Sequence, residues 1–154
     1  DDCEKICVLA ELKWFIDPAE VREVIDKTKE LNKGVSQLLR LKGALDNSFD
    51  IFANKLGIDR NYKIQLVIIS ANWIGFSQVQ CPDVPIINET HVLQKICQTK
   101  SLSTVIEWLK NREYLPVEGK HYQIIDTVGR VGKWQVKWYS IKPLIADSLL
   151  LEGL

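Results

Sequence analysis

Apolar positions along this chain follow two rhythms. Ile6-Cys7-Val8-Leu9-Ala10 is a continuous apolar run bounded by charge, a pattern that predicts a strand covered on both faces at the centre of an α/β sheet. It leads into Glu11-Leu12-Lys13-Trp14. Asp17-Pro18-Ala19-Glu20 then reads as a helix start, with Asp17 as N-cap, Pro18 in the first turn and Glu20 closing a capping box. From there Val21, Val24, Thr28, Leu31, Val35, Leu38, Leu45, Phe49, Phe52 and Leu56 recur at helical steps. They describe one apolar stripe on a long helix or on a broken pair. Gly34 marks either the break or a close approach of two backbones. Gly57 follows the last stripe residue and suits the left-handed position that ends a helix.

The strand rhythm then returns. Ile64-Gln65-Leu66-Val67-Ile68-Ile69-Ser70 predicts a second buried strand, and Val84-Pro85-Ile86-Ile87-Asn88 a third, after a loop holding Trp73, Gly75, Phe76 and Pro82. Asn88 or Thr90 caps a helix carrying Val92, Leu93, Ile96 and Cys97; Ser101 or Ser103 starts another carrying Val105, Ile106 and Leu109. Tyr122 to Val128 and Trp134 to Ile141 flank Gly129-Arg130-Val131-Gly132, which reads as a hairpin with its turn at the glycines. The expected fold is α/β: a mixed central sheet flanked by helices, with a C-terminal β-hairpin. The division expected is a core over 1–98 and a helix-plus-hairpin extension over 99–154.

Composition narrows the function classes. Twenty basic and twenty acidic side chains leave no net charge over 154 residues, so any affinity for a polyanion must come from a local patch. No stretch approaches the ~20 apolar residues of a membrane span. The four cysteines, Cys3, Cys7, Cys81 and Cys97, form no C-x-x-C pair and have no histidine at zinc-finger spacing. Cys7 and Cys97 fall in apolar patterns and are expected as buried, reduced thiols of a cytoplasmic protein. The sequence contains no methionine and opens on Asp1-Asp2 just before a strand-like run, so a fragment of a longer polypeptide is expected.

Glu11 and Lys13 carry the candidate chemistry. A strand's period of two puts them on one face, with Ala10, Leu12 and Trp14 on the other. A carboxylate and an ammonium would then meet where a buried strand emerges, the pair that metal-assisted phosphodiester hydrolysis uses. The plainer alternative is a strand simply leaving the core.

The segment from Ile6 to Trp14, followed by a capped helix through Lys33-Gly34-Val35-Ser36-Gln37, resembles the core of the PD-(D/E)XK, or restriction-endonuclease-like, nuclease superfamily. The strand Ile64–Ser70, the loop Asn72-Trp73-Ile74-Gly75-Phe76 and the run Val84–Ile87 are similar to its following elements. The likeness covers roughly residues 5 to 98. It implies Glu11 as a Mg²⁺ ligand, Lys13 as the catalytic lysine and Gln37 as a helix-borne contact to the site. It further implies a bacterial or phage DNA nuclease. The superfamily's first acidic residue has no match here, since Asp1 and Asp2 fall about 17 Å short of Glu11 along a strand. The missing residue is expected upstream of Asp1, and this chain alone is expected to be inactive, because one carboxylate holds Mg²⁺ weakly. Leu41 stands where RecB-like members have Tyr. Gln37, with Lys33 four residues before it, has a plainer alternative as part of a solvated helix face.

Residues 100–143 carry eight basic and four acidic groups. In the hairpin, Lys133, Gln135, Lys137 and Tyr139 alternate with Trp134, Val136, Trp138 and Ser140, giving one basic and one apolar face. Arg130, Lys133 and Lys137 are expected to follow a DNA backbone. The alternative is that the lysines guard an edge strand and the tryptophans are core. Against the nuclease stands a reading from another class: a non-catalytic α/β module, retaining the scaffold for protein or nucleic-acid interaction.

Overall fold

The structure, a computed structural model, describes residues 1–15, 21–71 and 81–144. The expected Asp17–Glu20 helix start and the Asn72–Phe76 loop lie outside the described residues. Two compact units divide between Arg112 and Glu113, so both helices after residue 88 belong with the sheet, whereas the sequence reading drew the line at 98. Each unit is described by itself.

In the first unit, β1 (Ile6–Lys13), β2 (Lys63–Ser70) and β3 (Ile86–Asn88) form a three-stranded parallel sheet in that order. Parallel neighbours need a crossover, and α1 (Val21–Asn47) with α2 (Phe49–Leu56) supplies it between β1 and β2. The helical stripe is the reason α1 packs on the sheet. Leu31, Val35 and Leu38 of α1 join Leu66, Ile68, Val84 and Ile86 in one buried cluster, with Leu9 and Ile64 at its margin. Each large aliphatic side chain so buried contributes about 1.5–3 kcal/mol.

Gly34 does not break the helix. The break falls at Ser48, and Gly57 closes α2 in the left-handed region at φ 67°. Asn88 caps α3 (Glu89–Thr99) by accepting from the Thr90 N–H. Ser101 caps α4 (Leu102–Lys110) by accepting from Thr104. A second acceptor reaches α4 from far away in sequence: the Glu4 carboxylate takes the backbone N–H groups of Leu102 and Ser103 at 3.0 and 2.6 Å. The Ser103 hydroxyl, with these two amides, holds the Glu4 carboxyl below its ordinary pKa. Beside it, the Tyr62 hydroxyl donates to Asp2, which pushes the phenol up to about 12.

β1 is an edge strand among the described residues, and this corrects the sequence reading. Its α1 face is covered, but on the opposite face Ala10, Leu12 and Trp14 are exposed, the last two at 74% and 85%. The cysteine expectation changes too: all four thiols are free, Cys97 and Cys3 exposed, Cys7 and Cys81 half-buried. Burial raises the pKa of the Cys7 thiol.

The second unit holds the antiparallel pair β4 (Tyr122–Val131) and β5 (Trp134–Pro143) as a sheet of its own. Among the described residues the central sheet is therefore parallel and not mixed. The turn is Gly132-Lys133, with Gly132 at φ 60°, the first central position of a II′ turn where glycine removes the strain. Gly129 and Arg130, expected in the turn, are strand residues facing Val136 and Gln135. Among the described residues no helix is long and apolar enough to cross a membrane.

Candidate functional site

Strand alternation brings Glu11 and Lys13 to the face of β1 that α1 crosses. Lys13 Nζ lies 3.1 Å from Glu11 Oε1, and the two side chains are 15% and 32% exposed. An exposed pair of this kind contributes little. This one is largely shielded by the helix, which raises the strength of its field.

Gly34 explains how the shielding is achieved. A Cβ at that position would stand 3.0 Å from Lys13 Cε, 3.2 Å from Ile68 Cδ1 and 3.5 Å from Glu11 Cγ. The bare backbone of α1 thus leaves the slot in which the lysine stem lies. Neither sequence reading of Gly34 holds as stated: the helix runs through it, and what approaches it closely is side chains, not a second backbone.

Register extends the site across the sheet. Glu11 pairs with Ile68, which pairs in turn with Ile86, while Lys13 pairs with Ser70, which pairs with Asn88. Below the polar row of Lys13, Ser70 and Asn88, at the carboxyl ends of the parallel strands where open α/β sheets bind their ligands, Glu11 is thus followed by two isoleucines. Ser70 and Asn88 are both buried. Sequence reasoning singled out neither for the site; the available signal was that each is the polar residue closing a buried apolar strand. The Ala71 N–H donates to the Lys13 carbonyl at 3.1 Å and fixes the strand end that carries the lysine.

Gln37 lies one helical turn beyond Gly34, on the same side of α1. It is half-buried, and its Oε1 is shut off from solvent with no hydrogen-bond partner among the described residues. A buried acceptor left unmet costs about 1–3 kcal/mol, so this carbonyl is an open bonding position on α1 one turn from the Gly34 slot. Lys33 is different: it is exposed and paired with Glu30 at 3.8 Å. The two do not form one solvated face.

Asp1 and Asp2 are held at the other end of β1. Asp1 Oδ1 accepts from the N–H groups of Cys3 and Glu4, and Asp2 accepts from Tyr62. Among the described residues, no three His, Cys, Asp or Glu side chains gather where they could hold a metal ion. Glu11, already paired with Lys13, does not make a Mg²⁺ site by itself, since that ion needs further oxygen donors. His121 has a structural task, its Nδ1 accepting from the Val117 N–H at 2.7 Å. His91 is partly desolvated, which lowers its pKa.

In the hairpin, Arg130, Gln135, Lys137 and Tyr139 share one face by register, and Gly129, Val131, Trp134, Val136 and Trp138 the other. Lys133 is in the turn, its Nζ 5.4 Å from the centre of the Trp134 ring. The tryptophans are exposed at 67% and 44%, not core.

Comparison with protein-family models, curated proteins and solved structures finds no match.

Proposed function

We propose that Glu11 and Lys13 are the carboxylate–lysine half of a phosphodiester-hydrolysing centre of the PD-(D/E)XK type, in a cytoplasmic protein that acts on DNA. The observation that carries this reading is their convergence at 3.1 Å in a slot made by Gly34, at the carboxyl end of a parallel strand. The strand–helix–strand order with E-x-K closing the first strand and Gln37 on the helix supports a restriction-endonuclease-like core.

In this reading the Lys13 ammonium offsets charge building on a phosphate under attack and orients the attacking water. Gln37 Oε1 accepts from that water, which answers its unmet bonding capacity. The Mg²⁺ that the type implies would need further oxygen donors beside Glu11, and among the described residues no three His, Cys, Asp or Glu side chains gather to supply them. A second reading, a module that holds nucleic acid without cleaving it, is favoured by the basic residues and exposed tryptophans of the hairpin.

The test compares Mg²⁺-dependent DNA cleavage by the protein with that of its Lys13→Ala and Glu11→Gln variants. Loss of activity in both is expected. Activity equal to wild type removes the pair from the mechanism, and a wild-type protein that binds DNA but never cuts it favours the module.

A further inference from the structure

Among residues 122–143 four side chains are basic, Arg130, Lys133, Lys137 and Lys142, and only Asp126 is acidic. This local excess of positive charge accompanies two exposed indole rings, with Arg130 and Lys137 on the opposite face of the ribbon. Trp138 lies on the bare backbone of Gly129, where an added Cβ would meet its ring at 2.1 Å. Trp134, at the turn, has the Lys133 ammonium beside its ring. Both belong to one face, four residues apart along β5, about 14 Å at ~3.4 Å per residue.

Charge and aromatic rings in this arrangement select among polyanions. Phosphates alone need only the cations, and a ribbon reading a duplex groove needs polar groups aimed at base edges. Between the rings the tryptophan face offers only Val136 and Gly129, with Val131 opposite Trp134 and Thr127 opposite Trp138, a mostly apolar surface that suits the flat faces of unpaired bases. Neighbouring strand axes lie only ~5 Å apart, so the long side chains of Arg130 and Lys137 can reach a backbone running along the ribbon's edge.

We infer that the hairpin is a binding site for single-stranded nucleic acid, whose bases stack on Trp134 and Trp138 and whose phosphates meet Lys133, Arg130 and Lys137. This deepens the DNA part of the function proposed above, and it stands whether or not Glu11 and Lys13 perform hydrolysis.

The test measures binding of labelled oligo-dT, and of a duplex of equal length, to the whole chain by fluorescence anisotropy across a salt series. Oligo-dT is expected to bind more tightly than duplex. Trp134→Ala should weaken oligo-dT binding about 10-fold, the loss of one stacked base, and leave the salt slope unchanged. Trp134→Phe should restore most of the affinity, which excludes a folding defect as the cause. Lys137→Glu should flatten the salt slope instead. If Trp134→Ala binds as wild type, or the duplex binds more tightly, the stacking site is overturned while the nuclease reading keeps its own test in Lys13→Ala. If neither nucleic acid binds and the chain self-associates through Trp134, the surface is a protein contact and the inference fails.

Discussion

Gly34 and Gly129 each receive a neighbour's side chain against bare backbone, Lys13 in the first case and Trp138 in the second. Around Gly34 the packing is closed: a helix covers a sheet, and a charged stem is held within a core of aliphatic groups. Around Gly129 it is open, with every described residue of β5 exposed. One glycine buries a polar group and so sharpens its chemistry. The other displays an apolar ring and so offers a contact.

The largest effect that separates the two regions should come from Leu31→Ala. Leu31 is fully buried between α1 and the sheet, and the change should cost about 2–5 kcal/mol in denaturant unfolding. Ile141→Ala, at 71% exposure, should change stability by less than about 0.5 kcal/mol; a comparable loss at both positions would break the contrast. Next in size is Gly129→Ala. The added methyl must drive the Trp138 ring from its seat, at an overpacking cost of about 1–3 kcal/mol to a ribbon that is marginal alone. Near-ultraviolet circular dichroism should lose indole signal, and an unchanged spectrum would refute the ring's placement.

Smaller is Gly34→Ala, where the contacts made are the yielding ends of Lys13 and Ile68. Helix propensity gains up to about 1 kcal/mol, so stability should stay within about 1 kcal/mol of wild type. The lysine, however, must move, and on the proposed reading DNA cleavage should fall. A stable variant with unaltered activity would mean that the slot is only packing. The smallest effect concerns pH. Because the Ser103 hydroxyl and the two backbone amides depress the Glu4 pKa in the folded state, its contribution is present above the ordinary glutamate range and is lost as pH falls through the lowered value. Thermal melts from about pH 3 to 6 should flatten in Glu4→Gln relative to wild type.

Local signals in the sequence were read well where the chain decides its own conformation. Gly57 ends a helix because it lacks a side chain, Asn88 and Ser101 begin helices through theirs, and the Leu31–Val35–Leu38 stripe names the buried face of α1. The pairing of Glu11 with Lys13 follows from strand alternation alone. What escaped depends on neighbours. An apolar run such as Ile6–Ala10 reads the same at the centre of a sheet or at its edge, and here the face opposite α1 opens only toward the strand's carboxyl end, where Ala10 and Leu12 are exposed while Ile6 stays buried. The polar row of Lys13, Ser70 and Asn88 comes from register between strands about sixty and twenty residues apart in sequence, which no local period encodes. The turn was misplaced because two glycines, Gly129 and Gly132, competed for it. Only the second has a positive φ.

The Glu4 clasp on α4 has a kinetic meaning. It closes a loop of 98 residues, and contacts so distant in sequence form after nearer ones have lowered the entropy of closure. Leu102 and Ser103 are thus expected to receive their acceptor late, after β1 has found β2, so that α4 would be secured as the last turn of a key already cut.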